Sequence, residues 1–211
     1  MKTTNKIIFY FFIALISMTS FGQKNIEVIN LETNEIPNEI KYSGKIKNAI
    51  SWADKTGKNI VLTCETGEYE NKNSENGGRD AEIFAYHYVI SKKLVTQNWK
   101  IHDYIKDCPV DIEAKFIKNT LKITDLNNDG IVEIWIMYKT VCHGDVSPSD
   151  MKIIMYQSKQ KFAMRGENKV KISKKESVGG KYTFDKAFNE APKEFRNFAI
   201  NLWNTNILQK W

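Results

Sequence analysis

The chain has 211 residues, 42% of them hydrophobic, and carries 31 Lys and Arg against 25 Asp and Glu for a formal charge of +6. That length supports one domain with a real core, and no internal repeat or proline-rich linker argues for a second. A charge this mild does not point to nucleic acid; it suits anionic glycans or lipid headgroups, or simply a solvated basic surface.

Residues 1–22 read as a secretory signal peptide. Lys2 and Lys6 form a positive start, and Ile7 to Ile16 is an uncharged apolar run too short for a stable span. Ser20 and Gly22 are the small residues before a cut at Gln23, and no Cys stands there to suggest a lipoprotein. An uncleaved N-terminal anchor is the alternative. Cleavage removes two lysines and leaves 189 residues at +4. The expectation is an exported protein, periplasmic or associated with the cell surface, with a single β-rich domain over 23–211 and no transmembrane segment in the mature chain.

Residues 23 to about 42 are polar and read as loosely held in part. "KIKNAISWADKTGKNIVLTCE" then reads as a hairpin, turning over Asp54 to Gly57, with "NIVLTC" returning as a buried strand. "NKNSENGGRD" is a long polar loop. "AEIFAYHYVI" and "NWKIHDYI" are aromatic and β-branched, and form a second strand pair. After Pro109, "DIEAKFI" and "TLKITDL" continue as strands. "IWIMYKTV" is apolar at nearly every position, so it is expected centrally, buried on both faces. "MKIIMYQ" and "KFAMRG" form another hairpin about "SKQK", and "KVKISKKES" is basic and exposed before Gly179 and Gly180 break the chain. The period then changes: Phe195, Phe198, Ala199 and Leu202 line one face of a helix over about 192–208. Pro192 and Glu194 suit its first turn. The fold class is α+β, a predominantly antiparallel sheet domain of hairpins with a C-terminal amphipathic helix.

The stretch "DLNNDGIVE" carries the clearest chemical pattern. Asp125, Asn127 and Asp129 place short oxygen-bearing side chains at alternate positions. Gly130 allows a sharp turn, Ile131 offers its carbonyl, and Glu133 closes the set directly or through water. Calcium takes six to eight oxygens at relaxed geometry, which such a loop can wrap. An EF-hand would need a glutamate where Ile136 stands. The spacing resembles the short calcium loops between strands in integrin-type FG-GAP propeller blades, although a single copy excludes a propeller. The same residues also make a metal-free hairpin turn. An ion here would be structural, pinning the turn of the central hairpin.

In an oxidising compartment Cys64, Cys108 and Cys142 allow one disulfide and leave one thiol. Cys108 with Cys142 is favoured because each adjoins turn chemistry, whereas Cys64 sits in an apolar run as a buried, inert thiol. Spacing alone does not fix the connectivity.

No catalytic constellation stands out. His87 in "FAYHYVI" reads as a hydrogen-bonded residue of an aromatic strand. His102 and Asp103 are strand neighbours that point to opposite faces. His143 beside Cys142 would suit a thiol nucleophile only if that cysteine were free. The histidines match no zinc spacing. The stretch "CHGDVSPSDMK" gathers Asp145, Ser147 and Asp150 between two buried strands, and Arg165 ends the next hairpin within possible reach of one of these acids. This is a candidate functional loop; a capped turn is the alternative.

Residues 124–166, "TDLNNDGIVE" with Tyr138, Cys142, "DVSP", Met151, Lys152, Arg165 and Gly166, resemble a family of small exported proteins from Bacteroidota named for surface polysaccharide biosynthesis. The "DCPVDI" stretch around Cys108 fits as well. The resemblance implies a process, not a reaction, and carries no catalytic residues with it. Three readings follow. The first is a non-enzymatic binding module that supports surface polysaccharide or lipopolysaccharide assembly. The second is an envelope glycan-acting enzyme, which would need paired carboxylates in a cleft. The third is a protein-binding or inhibitory module that acts on another envelope protein.

Overall fold

The structure is a computed structural model that describes residues 26–75 and 77–208. The signal-peptide reading of residues 1–22 therefore lies outside the described residues.

Two antiparallel sheets are stacked. The first is a five-stranded meander, β1 (Ile29–Asn30), β2 (Lys45–Asp54), β3 (Gly57–Glu70), β4 (Arg79–Ser91) and β5 (Leu94–Cys108), ordered as in the chain. The second contains β6 (Ile112–Phe116), β7 (Lys122–Thr124), β8 (Glu133–Cys142), β9 (Asp150–Gln157), β10 (Gln160–Glu167) and, after a small hairpin of β11 (Lys169–Lys171) and β12 (Ser177–Gly179), β13 (Tyr182–Phe184). Its order is β13-β10-β9-β8, with β6 and β7 both paired to the far edge of β8. Helices α1 (Lys186–Glu190) and α2 (Lys193–Asn206) close the chain. The protein is thus mainly antiparallel β with a short C-terminal helix. Among the described residues no helix is long and apolar enough to cross a membrane.

Strand alternation distributes the apolar side chains over three cores. Val61, Ile83, Ala85, Trp99 and Ile101 of the first sheet meet Ile134, Ile136, Ile154 and Tyr156 of the second. On the far side of the second sheet, Trp135, Met137, Ile153, Phe162 and Met164 pack under Phe188, Phe195, Ala199 and Trp203 of the helices. The central strand β8 is therefore buried on both faces, as its unbroken apolar run implies. Each fully buried large side chain contributes roughly 1.5–3 kcal/mol.

The third core lies on the outer face of the first sheet, and part of the polar segment 26–42 covers it. Ile36 and Ile40 are buried there over Ile60, Leu62, Phe84 and Tyr86. Leu31 N donates to Ala49 O at 2.8 Å, Ser43 N donates to the Tyr86 hydroxyl at 3.1 Å, and Tyr88 donates to Lys41 O at 2.5 Å. Two isoleucines four residues apart in a polar segment were too little pattern to reveal a cover. The "KVKISKKES" stretch is likewise not wholly exposed: Val170 is buried, and Lys169 N donates to Ile207 O at 2.7 Å.

The first hairpin turns where its sequence indicates. Asp54 Oδ1 accepts from Thr56 N at 2.8 Å, and Gly57 takes φ +133°. A Cβ at Gly57 would stand 2.3 Å from Ile90 O, so only glycine lets β4 pass this closely.

Candidate functional site

The loop between β7 and β8 is held by its own acceptors. Asp129 N donates to Asp125 Oδ1 at 3.1 Å and to Asn127 Oδ1 at 3.4 Å, and Gly130 N donates to Asp125 Oδ2 at 3.1 Å. Asp129 Oδ1 accepts from Ile131 N at 2.7 Å, and its Oδ2 accepts from Asn127 Nδ2 at 2.8 Å. Gln157, at the end of β9, donates to Asp129 Oδ2 at 2.9 Å and to the Ile131 carbonyl at 3.4 Å. The sequence reading missed Gln157, whose place depends on the β8–β9 pairing of Glu133 with Gln157. Asp125, Asn127, Asp129 and Ile131 thus turn their oxygens towards shared donors.

Glu133 is fully buried. Its Oε2 accepts from Thr124 Oγ1 at 2.7 Å and from Leu126 N at 3.0 Å, while its Oε1 is buried without a hydrogen-bond partner. Burial, joined by the charges of Asp125 and Asp129, pushes its carboxyl up to about 7 against the two hydrogen bonds. A buried oxygen of this kind wants a proton or a cation. Among the described residues no three His, Cys, Asp or Glu side chains are gathered tightly enough to hold a metal ion. The loop's oxygens are spent on amide donors.

Cys108 and Cys142 lie at bonding distance, with sulfurs 2.13 Å and Cα atoms 5.8 Å apart, and tie β5 of one sheet to β8 of the other. Cys64 is free and buried, and burial pushes its thiol up to about 12. A thiol held protonated there is not a nucleophile.

The four residues of the candidate loop separate into two places. Asp145 Oδ1 accepts from Ser147 N at 2.9 Å, a local turn beside His143, whose Nδ1 lies 3.1 Å from Asp145 O. The Ser147 hydrogen bonds, then the nearby His143, hold the Asp145 carboxyl below its ordinary value. Asp145 and Ser147 border a cleft of about 390 Å³ with Arg79, Glu113, Lys139 and His143. Asp150 instead opens β9, and Arg165 lies on β10; both border a second cleft of about 440 Å³. Arg165 makes no ion pair within 4.0 Å among the described residues, so the anticipated pairing with an acid of the 142–150 loop is not formed.

His87 is a hydrogen-bonded residue buried in the core. Its Nε2 donates to Asn59 Oδ1 at 2.9 Å, and its Nδ1 accepts from Asn98 Nδ2 at 3.1 Å, a pattern that only the neutral ring satisfies. Trp52 and Trp99 flank it at 5.6 and 5.3 Å. Burial lowers its pKa to about 4.

His102 belongs to an open strip on the outer face of the first sheet. Its Nε2 lies 2.5 Å from Glu82 Oε2, and Tyr69 donates to Glu82 Oε1. Burial works against the Glu82 charge, but the hydrogen bonds from Tyr69 and His102 outweigh it and hold the carboxyl low. The Glu82 hydrogen bond pushes Tyr69 up to about 12. His102 stacks on Phe84 at 4.5 Å and meets Tyr104 at 5.4 Å, and Lys106 sits 5.0 Å over the Tyr104 ring. Tyr69 and Tyr104 remain 41% and 47% exposed, so the N-terminal cover stops short of them.

The fold and these surfaces define a disulfide-tied stack of two antiparallel sheets with a helix-covered face and an open aromatic strip. Comparison with protein-family models, with curated proteins and with solved structures finds no match.

Proposed function

We propose that this protein is an exported, non-enzymatic binding module that supports surface polysaccharide or lipopolysaccharide assembly in the cell envelope, with the 125–133 loop as a structural calcium loop. The observation that carries the reading is the Tyr69–His102–Tyr104 strip. The exposed Tyr69 and Tyr104, with Tyr69 and His102 held by hydrogen bonds to Glu82, suit contact with sugar rings. The resemblance of residues 124–166 to exported Bacteroidota proteins supports the same process. Partly exposed rings already in place bind at small ordering cost.

Affinity electrophoresis through gels that contain lipopolysaccharide or an acidic capsular polysaccharide tests it. The protein should be retarded, and Tyr69→Ala with Tyr104→Ala should abolish the retardation. Unchanged mobility in every gel sinks the reading.

Calcium is supported by the unsatisfied Glu133 Oε1 among five oxygen-bearing positions. On binding, Asp125 and Asp129 would exchange their amide partners for the ion. Excess calcium should raise the melting temperature, with about 2.7 kcal/mol of added stability at a hundredfold excess over Kd, and Asp129→Ala should lose that rise. An identical melt in calcium and in chelator returns the loop to a plain turn.

One observation favours a second reading, a glycan-acting enzyme. Asp150 stands directly opposite Glu167 in the β9–β10 register, at the 440 Å³ cleft. Release of new reducing ends from the bound polysaccharide would establish it over the binding module.

A further inference from the structure

The inner face of the second sheet changes character along its length. Ile154, Tyr156 and Ala163 are buried against the first sheet. Further along the same face, Asp150 and Arg165 are exposed and Lys152 and Glu167 are half-buried. A cleft opens here over β9, β10 and the start of β13. It is lined by Asp150, Lys152, Arg165, Glu167, Lys181 and Thr183. It is a shallow, open depression of about 440 Å³.

The register arranges these charges unusually. Asp150 is opposite Glu167, and one step along Lys152 is opposite Arg165. Both are like-charge pairs with Cβ atoms about 5 Å apart, a placement that destabilises a sheet. Swapping one member of each pair would have given two attractive pairs, so the cleft keeps an acidic row beside a basic row at a cost in stability. Among the described residues Lys152 alone of the four has an ion-pair partner, Asp103 of β5 at 2.6 Å, which also accepts from Tyr138 at 2.9 Å. Arg165 has no ion-pair partner among the described residues. Lys161, further along β10, has its pKa lowered by partial burial and then by the positive field of Arg165 and Lys152. Gly166 lets the chain before β13 close over this spot, since a Cβ there would stand 1.9 Å from Lys181 O.

We propose that this cleft binds an acidic saccharide residue, one that bears a carboxylate or a phosphate ester beside free hydroxyls. Arg165 and Lys181 hold the acid group, a fork and an ammonium charge around one anion, while Lys152 stays paired to Asp103. Asp150 and Glu167 accept hydrogen bonds from the sugar hydroxyls, which supply the donors that neither row supplies to itself. The proposal rests on the glycan-binding reading above, and assigns the acid recognition to the cleft and not to the aromatic strip.

Isothermal titration of the purified protein with trigalacturonic acid, with glucose 6-phosphate and with neutral galactotriose tests it. At least one acidic probe should bind about tenfold more tightly than galactotriose, and Arg165→Gln should weaken that probe about tenfold. Asp150→Asn should weaken the acidic probe and galactotriose alike. Arg165→Gln relieves a repelling pair, so its melting temperature should hold or rise, which separates lost binding from lost fold. Inorganic phosphate that binds as tightly as the sugars would overturn the saccharide assignment. Acidic-probe binding that survives Arg165→Gln but is lost with Tyr69→Ala and Tyr104→Ala would overturn the cleft and keep the glycan reading. Polysaccharide retardation without binding of either acidic probe would also overturn the cleft. No retardation and no binding would overturn both.

Discussion

The two sheets meet solvent in different ways. The outer face of the second is closed by a helix whose Phe195, Ala199 and Trp203 are almost wholly buried. The outer face of the first is closed by an irregular segment that reaches down with Ile36 and Ile40 and then ends, leaving His102 and Tyr104 in the open. A helix returns a side chain to the same face every three or four residues and can cover a sheet continuously. A coil segment covers only where its few apolar residues land. The uncovered remainder is where Tyr69, His102 and Tyr104 stay exposed.

That contrast sets an order of expected effects. Phe195→Ala empties a buried ring site between helix and sheet, and should cost about 3–5 kcal/mol in denaturant unfolding. In the interior that the sheets share, His87 sharpens the picture through acid. Its ring is held neutral in the fold, with a pKa near 4 against 6.5 when unfolded. Its contribution is therefore whole above pH 6.5 and is lost as pH falls towards 4, at most roughly 3 kcal/mol. Melting temperature followed from pH 7 to pH 4 should drop over that window, and the drop over pH 6.5 to 4 should flatten in His87→Gln. Ile40→Ala should be the mildest of the three, about 2 kcal/mol, and should speed amide exchange at Phe84 and Tyr86 with little change beyond them. A loss from Ile40→Ala equal to that from Phe195→Ala would break the comparison, and would make the N-terminal cover as integral as the helix.

What could be read beforehand follows the same physics. The 3.6-residue period of Phe195 to Leu202, the unbroken run of β8 and the Asp54–Gly57 turn are local signals, and the corresponding elements form where those signals lie. The cysteine pairing was favoured from turn chemistry on each side. The cover by Ile36 and Ile40 depends on a tertiary contact with no period of its own, and α1 is a single turn set by the Asp185 cap, whose Oδ1 accepts from Phe188 N at 2.9 Å. Within the candidate loop, the alternation of Asp125, Asn127 and Asp129 was visible, but not Gln157. The opposition of Asp150 to Glu167 exists only once β9 and β10 are in register, and no spacing along the chain encodes it. The division of Asp145 and Ser147 from Asp150 and Arg165 between two clefts likewise depends on where β9 begins and on its pairing with β10.

The bond between Cys108 and Cys142 has a topological consequence. It closes a ring of chain that contains β6, β7 and the whole 125–133 loop. A protease that cuts once anywhere inside that ring leaves two pieces still joined covalently, and the nicked molecule keeps its mass until a reductant is added. A single break at the exposed residues 128–130 of that loop thus releases no fragment.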